Sequence, residues 1–233
     1  MRFSFPKYLS LSLFFCGVLF TSSPLTAEEK LTPIFDGKTL EGWVQKGGKA
    51  KYHVEDGQIV GTSVTGTPNS FMTTKKHYAN FILELEFLPD AVLNSGVQIR
   101  SNAYDEPKTY TWKDKNGKEK SRIVPAHKVH GYQVEIDPSD RAWTAGIYDE
   151  SRRGWLNNLK ENEPARKAFK KGEWNHLRVV ANGDSIKTYL NGVPAADLKD
   201  DMTPCGFIGL QVHNFKENGH QIRWRNIRIQ ELP

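Results

Sequence analysis

The segment "GYQVEID" (131–137) sets Gln133, Glu135 and Asp137 at every second position, with Val134 and Ile136 between them. Side chains alternate faces along a strand, so three polar groups, two of them carboxylates, share one side and two β-branched residues the other. Two further segments repeat the pattern: Gly96, Gln98 and Arg100 alternate with Val97 and Ile99, and Gly209, Gln211 and His213 alternate with Ile208, Leu210 and Val212. If the three strands lie in one sheet, their aliphatic faces bury and Gln98, Arg100, Gln133, Glu135, Asp137, Gln211 and His213 gather on the outer face. Such a surface, concave and rich in amides, carboxylates and cations, suits the hydroxyls of a sugar. An antiparallel sheet normally has one wet face without any function. Amides, Arg, His and paired acids recurring on three strands are nevertheless a different mixture from the Lys, Thr, Ser and Glu of an ordinary solvated face.

Residues near this set extend it. Tyr148, Glu150 and Arg153 in "GIYDESRRGW" follow a glycine-containing strand from which they could reach over the groove, and Trp143 and Trp155 could stack on the apolar face of a sugar ring. Surface ion pairing and packing explain the same residues equally well. Cys205 stands beside Pro204 and Gly206 with no base nearby in sequence, which fits a small apolar residue.

The elements that must position these groups are mostly strands. Asp56-Gly57 and Asn191-Gly192 sit between alternating runs as hairpin turns, and strand-like segments recur at short spacing. Only "NEPARKAFKK" (162–171) has helical character. The pattern predicts an all-β fold, an antiparallel two-sheet sandwich or jelly roll. It also predicts that Val97, Ile99, Val134, Ile136, Ile208, Leu210 and Val212 are buried.

The chain has 233 residues and a formal charge of +5. Its start reads as a secretory signal peptide over 1–27: Arg2 and Lys7 precede the apolar run Leu9–Phe20, and Ala27 precedes a plausible cleavage point. The run is too short for a membrane span. Acylation at Cys16 is disfavoured by Phe14 and Phe15, where small residues belong. The reading is an exported protein, periplasmic or extracellular, with one domain over 28–233. Basic residues alternate with acidic ones, as in "KDKNGKEKSR" (113–122), instead of forming a stripe, so a nucleic-acid partner is not expected and this stretch reads as a solvated excursion between strands.

Taken in order, "IFDGKTLEGW" (34–43), "NSGVQIRS" (94–101), "GYQVEID", "GIYDE" (146–150), "GEWNHLRVVANGDSIKTYLNG" (172–192), "GFIGLQVH" (206–213) and "WRNIRIQEL" (224–232) resemble the landmarks of the 3-keto-disaccharide hydrolase domain family. The resemblance runs from Thr32 to Leu232. It implies a concanavalin-like jelly roll and activity on glycosides oxidised at C3, with carbohydrate as the partner. The chain departs from the family in a Lys-rich insertion between Asn102 and His130.

The implied chemistry follows from the ketone. It acidifies the C2 hydrogen, so a base can form an enediolate, the C1 substituent can be eliminated, and water can then add. On this reading Glu135 is the candidate base, its proton affinity raised by Asp137, while Arg100 holds the enolate and His213 donates a proton. Gln98, Gln133, Tyr148, Glu150, Arg153, Trp155 and Gln211 would bind substrate. Glu135, Asp137 and His213 would also serve as ligands if a divalent metal ion takes part, which the sequence leaves open. A lectin-like module binding glycans on the same sheet without turnover is the alternative.

Overall fold

Seven antiparallel strands make the sheet that carries the site, in the spatial order Gly154–Asn157, Ile147–Glu150, His130–Ile136, Ser95–Asn102, Phe207–Val212, Ser70–Thr74 and Trp43–Gly47. The computed structural model describes residues 1–3 and 30–233. The proposed leader, with Leu9–Phe20 and Cys16, thus falls almost wholly outside the described residues. The opposing sheet runs Val193–Lys199, Ser185–Leu190, Asn175–Asn182, Phe81–Pro89, Gln221–Glu231, Gln58–Thr62 and Lys51–Glu55, with Thr32–Pro33 added beside Gln221–Glu231. Among the described residues no helix is long and apolar enough to cross a membrane.

Two turns show why the chain pairs as it does. Asp56 and Gly57 have φ of 50° and 75°, Asn191 and Gly192 of 50° and 83°, the left-handed pairs that two-residue hairpins require. The core lies between the sheets. Phe81, Leu83, Leu85 and Phe87 meet Val97, Ile99, Val134, Ile136, Ile208, Leu210 and Val212, all buried. Burial of the aliphatic set is as the alternation predicts. Since the phase of every strand is locked by that apolar face, the polar residues between are forced onto the other side.

The one α-helix among the described residues, Glu163–Ala168, is shorter than "NEPARKAFKK", its N-terminus capped by Asn162 accepting from the Ala165 amide. The Lys-rich stretch is largely exposed, as expected of a solvated excursion, but it is paired. Lys108–Lys113 and Glu119–Val124 form a separate two-stranded sheet.

Candidate functional site

The three alternating strands are adjacent, and their polar faces meet. Gln98, on the neighbouring strand, and Gln211, on the strand beyond that, both aim their amide NH₂ groups at Gln133 Oε1, at 2.6 and 2.7 Å. With its carbonyl saturated, Gln133 can only turn its own Nε2 onward, and it donates to Glu135 Oε2 at 2.9 Å. Ser101 fixes the far end by donating to Gln98 Oε1 at 2.7 Å. Gly96 makes room for this network: a Cβ there would lie 2.5 Å from Gln133 Cγ.

Glu135 is 5% exposed. Its Oε1 accepts from Asn94 Nδ2 at 2.7 Å and lies 3.4 Å from Arg141 Nη2. Burial holds its proton affinity above the ordinary carboxylate range; Asp137 adds to this, while the donors Asn94 and Gln133 and the charge of Arg141 pull against it. Desolvation, more than the neighbouring acid, therefore raises this group.

Asp137 is also buried, yet its proton affinity is lowered. Burial opposes ionisation, but Ser139, Arg141 and the Trp143 amide together outweigh it. The distances are 2.6 Å to the Ser139 hydroxyl, 2.7 Å to Arg141 Nε and 3.2 Å to Trp143 N. Asp137 thus folds the 138–143 loop back and sets Arg141 beside Glu135. The guanidinium lies 4.7 Å from the Trp143 ring and 5.1 Å from Trp155. Trp155 meets Trp143 and Tyr148 edge to face, at 4.8 and 5.3 Å.

These groups enclose a cleft of ≈ 380 Å³ lined by Gln133, Glu135, Arg141, Tyr148, Glu150, Trp155 and His213, with Asn69 and Asn94 on the rim. The volume is within the range of small-molecule sites. Glu150 is a second carboxyl held above its ordinary range by burial, against the pull of Lys128, Ser151 and His213. Tyr148 is raised by burial and by both Glu150 and Glu135, so it faces the two acids. His213 Nδ1 donates to the Asn214 carbonyl at 2.7 Å, leaving Nε2 as the basic nitrogen.

Several expected site residues are elsewhere. Arg100 has φ of 45° and occupies a β-bulge: Gln98 pairs with Gly209 and Ser101 with Phe207, so one extra residue is inserted. The insertion shifts the side-chain phase, and Ser101 instead of Arg100 returns to the face of Gln98. Arg100, fully buried, binds the Ala79 and Gly183 carbonyls at 2.5 and 2.7 Å and Asn80 Oδ1 at 3.1 Å, tying down the ends of the opposing sheet. Arg153 is committed to Asp149 and, through two nitrogens at 2.6 and 2.9 Å, to Asp200. Gln98 and Gln211 are fully buried beneath Gln133 and support the floor without lining the cleft.

The proposed metal set does not converge. Asp137 is occupied by Ser139, Arg141 and Trp143, and among the described residues no three His, Cys, Asp or Glu side chains are grouped to hold a metal ion. The residues that sequence reasoning missed are Arg141 and Asn94. For neither did the sequence carry a signal beyond adjacency to the paired strands, because the loop that returns Arg141 to Asp137 is not helical and its closure is a tertiary fact.

Comparisons with solved structures agree with the fold. The chain resembles the carbohydrate-binding module CBM66 of Bacillus subtilis, at 17% identity over 82% of this chain and 96% of that one, with a TM-score of 0.54. A candidate glycosyl hydrolase of Parabacteroides distasonis ATCC 8503 matches at 23% identity over 88% and 100%, with a TM-score of 0.52. A Bacillus subtilis protein with a galectin-like fold matches at 9% identity over 82% and 90%, with a TM-score of 0.55. No curated protein matches the sequence. The family profile of the 3-keto-alpha-glucoside-1,2-lyase-like domain matches residues 30–230, nearly the whole described chain. The chain therefore belongs to the 3-keto-alpha-glucoside-1,2-lyase-like domain family.

Proposed function

We propose that this protein cleaves the glycosidic bond of 3-keto-glycosides by removing the C2 proton, eliminating the C1 substituent and rehydrating the product. The observation that carries this reading is Glu135. It is a buried carboxylate with raised proton affinity, aimed by a hydrogen-bonded amide relay at a cleft with an aromatic wall. Raised proton affinity makes a carboxylate a stronger base toward a carbon acid.

In this mechanism Glu135 takes the C2 proton, and the C–H electron pair forms the enediolate with its charge on the C3 oxygen. Arg141, poised 3.4 Å from Glu135 Oε1 and over the indoles, receives that charge, the part Arg100 was expected to play. The enediolate electrons re-form the ketone and expel the C1 oxygen, and Glu150, whose proton affinity burial raises, supplies its proton. Glu135 exchanges the proton it took with solvent; water then adds at C1, its released proton passing to Glu150, and Glu135 protonates C2. Trp155 and Trp143 offer the apolar wall for the ring. The leader-like residues 1–27 support a place in the periplasm or outside the cell.

A lectin-like role without turnover draws on the same aromatic wall. The two are separated by incubating the protein with a 3-keto-disaccharide and with its unoxidised parent. Release of free sugar from the oxidised substrate alone is expected; binding of both with cleavage of neither would leave the lectin-like role.

A further inference from the structure

The insertion leaves the Ser95–Asn102 strand and returns at His130, carrying the ribbon of Lys108–Lys113 and Glu119–Val124. In that ribbon Lys108 pairs with Val124, Tyr110 with Arg122 and Trp112 with Lys120. Directly opposed residues share a face. Tyr110 and Val124 are the buried members, so this face is the one turned to the body of the protein. Tyr110 secures it: its hydroxyl is 2.7 Å from His130 Nε2, and the Arg152 guanidinium lies 4.8 Å from its ring. His130 is next to Gly131, which pairs with Glu150 across the sheet. The ribbon is therefore anchored at the Glu150 end of the cleft, with Arg122 on its inward face.

Arg122 and Lys128 are exposed, and neither side chain is paired with a carboxylate in the salt bridges of the described residues. Lysines elsewhere on the ribbon differ: Lys120 lies 3.8 Å from Asp114, and Lys108 stacks on Tyr104 and Tyr110. The positive charge of Arg122 is felt by Tyr148, and that of Lys128 by Glu150. Two cations without a carboxylate partner thus flank the end of the cleft where the mechanism puts the departing group, and the nearest acid there is held toward its neutral form.

We propose that Arg122 and Lys128, delivered by the insertion, form an anion-selecting rim, so that the enzyme prefers 3-keto-glycosides whose leaving group is negatively charged. This rests on the elimination reading above for its substrate and on the ribbon geometry for its selectivity. A charged contact to the leaving group from either exposed cation would favour the anionic substrate by up to about fivefold in kcat/KM.

The test compares the 3-keto-glucoside of 4-hydroxybenzoate with that of its neutral amide. Wild-type protein should favour the carboxylate several-fold at low salt, and the ratio should shrink as added salt screens the exposed charges. Arg122→Gln and Lys128→Gln should each lower the ratio by about two- to fivefold, whereas Lys115→Gln, at the ribbon tip, should leave it unchanged. Equal kcat/KM for both substrates, or a preference that survives the double variant, would overturn the rim. If neither compound is cleaved, the elimination reading fails separately. Calorimetry with the two unoxidised glucosides then still decides the rim: tighter binding of the carboxylate, lost in the double variant, supports it, and equal binding overturns it.

Discussion

Gln133 stands between two amide donors and one carboxylate: Gln98 and Gln211 fill its Oε1, and its Nε2 reaches Glu135 at 2.9 Å. The orientation of the Glu135 carboxylate is therefore decided by residues on three different strands. A side chain placed by such a relay has little rotamer freedom left to lose when substrate arrives.

Asn94 is the accessible test of how Glu135 is tuned. Its amide donates to Oε1 at 2.7 Å and so favours the ionised form. Asn94→Ala should move the acidic limb of the kcat/KM profile to higher pH, because the base is then ionised only at higher pH. A limb that moves to lower pH, or stays in place, would remove Glu135 from the role of base.

Burial of Glu135 has a stability consequence of definite sign. Its folded proton affinity lies above the unfolded value, so the unfolded chain releases this proton first as pH rises. The associated stability is full below the unfolded value and is lost as pH climbs through the folded one. Glu135→Gln does not titrate, so thermal unfolding should show the variant gaining on wild type between acidic and neutral pH. A difference in Tm that is flat across this window would contradict the assignment.

Arg100 should behave as structure. Arg100→Ala deletes bonds to Ala79, Asn80 and Gly183 and empties the space of a fully buried side chain, at a cost of about 3 kcal/mol or more. Tm should fall by several degrees, while kcat/KM measured well below Tm should stay within a few-fold of wild type. A stable variant with activity lost would return Arg100 to the site.

Arg141 should behave as chemistry. Arg141→Met keeps the apolar stem over Trp143 and Trp155 and removes the charge; kcat should fall by about 10²–10³ with KM much less affected. A change confined to KM would make Arg141 a binding residue only.

These contrasts mark what the sequence could and could not disclose. The alternation through Val97, Val134 and Leu210 reports burial directly, so the core and the face of Gln133 and Glu135 are legible. Arg100 is not, because the bulge that turns it depends on how the Ser95–Asn102 strand pairs with its neighbours, a tertiary fact. Asp137 was read as an acid for catalysis, yet its role follows from a loop closing back on it, which spacing alone does not determine. Edge segments such as "WVQKG" and the ribbon around Arg122 lack an apolar alternation, since an edge strand or a two-stranded ribbon has little core to face.

The central claim is that a C2 proton is abstracted, and deuterium tests it most directly. A 3-keto-glucoside is cleaved in deuterated water, with an enzyme-free sample correcting for spontaneous exchange, and the released sugar is analysed by NMR. Elimination and rehydration predict deuterium at C2 of the product, cleavage of the 3-keto substrate and none of its parent, and a turnover lowered by about 10²–10⁴ in Glu135→Gln. A product carrying only protium at C2, formed at similar rates from oxidised and unoxidised glycosides, would contradict the account and assign the cleft carboxyls to direct glycoside hydrolysis.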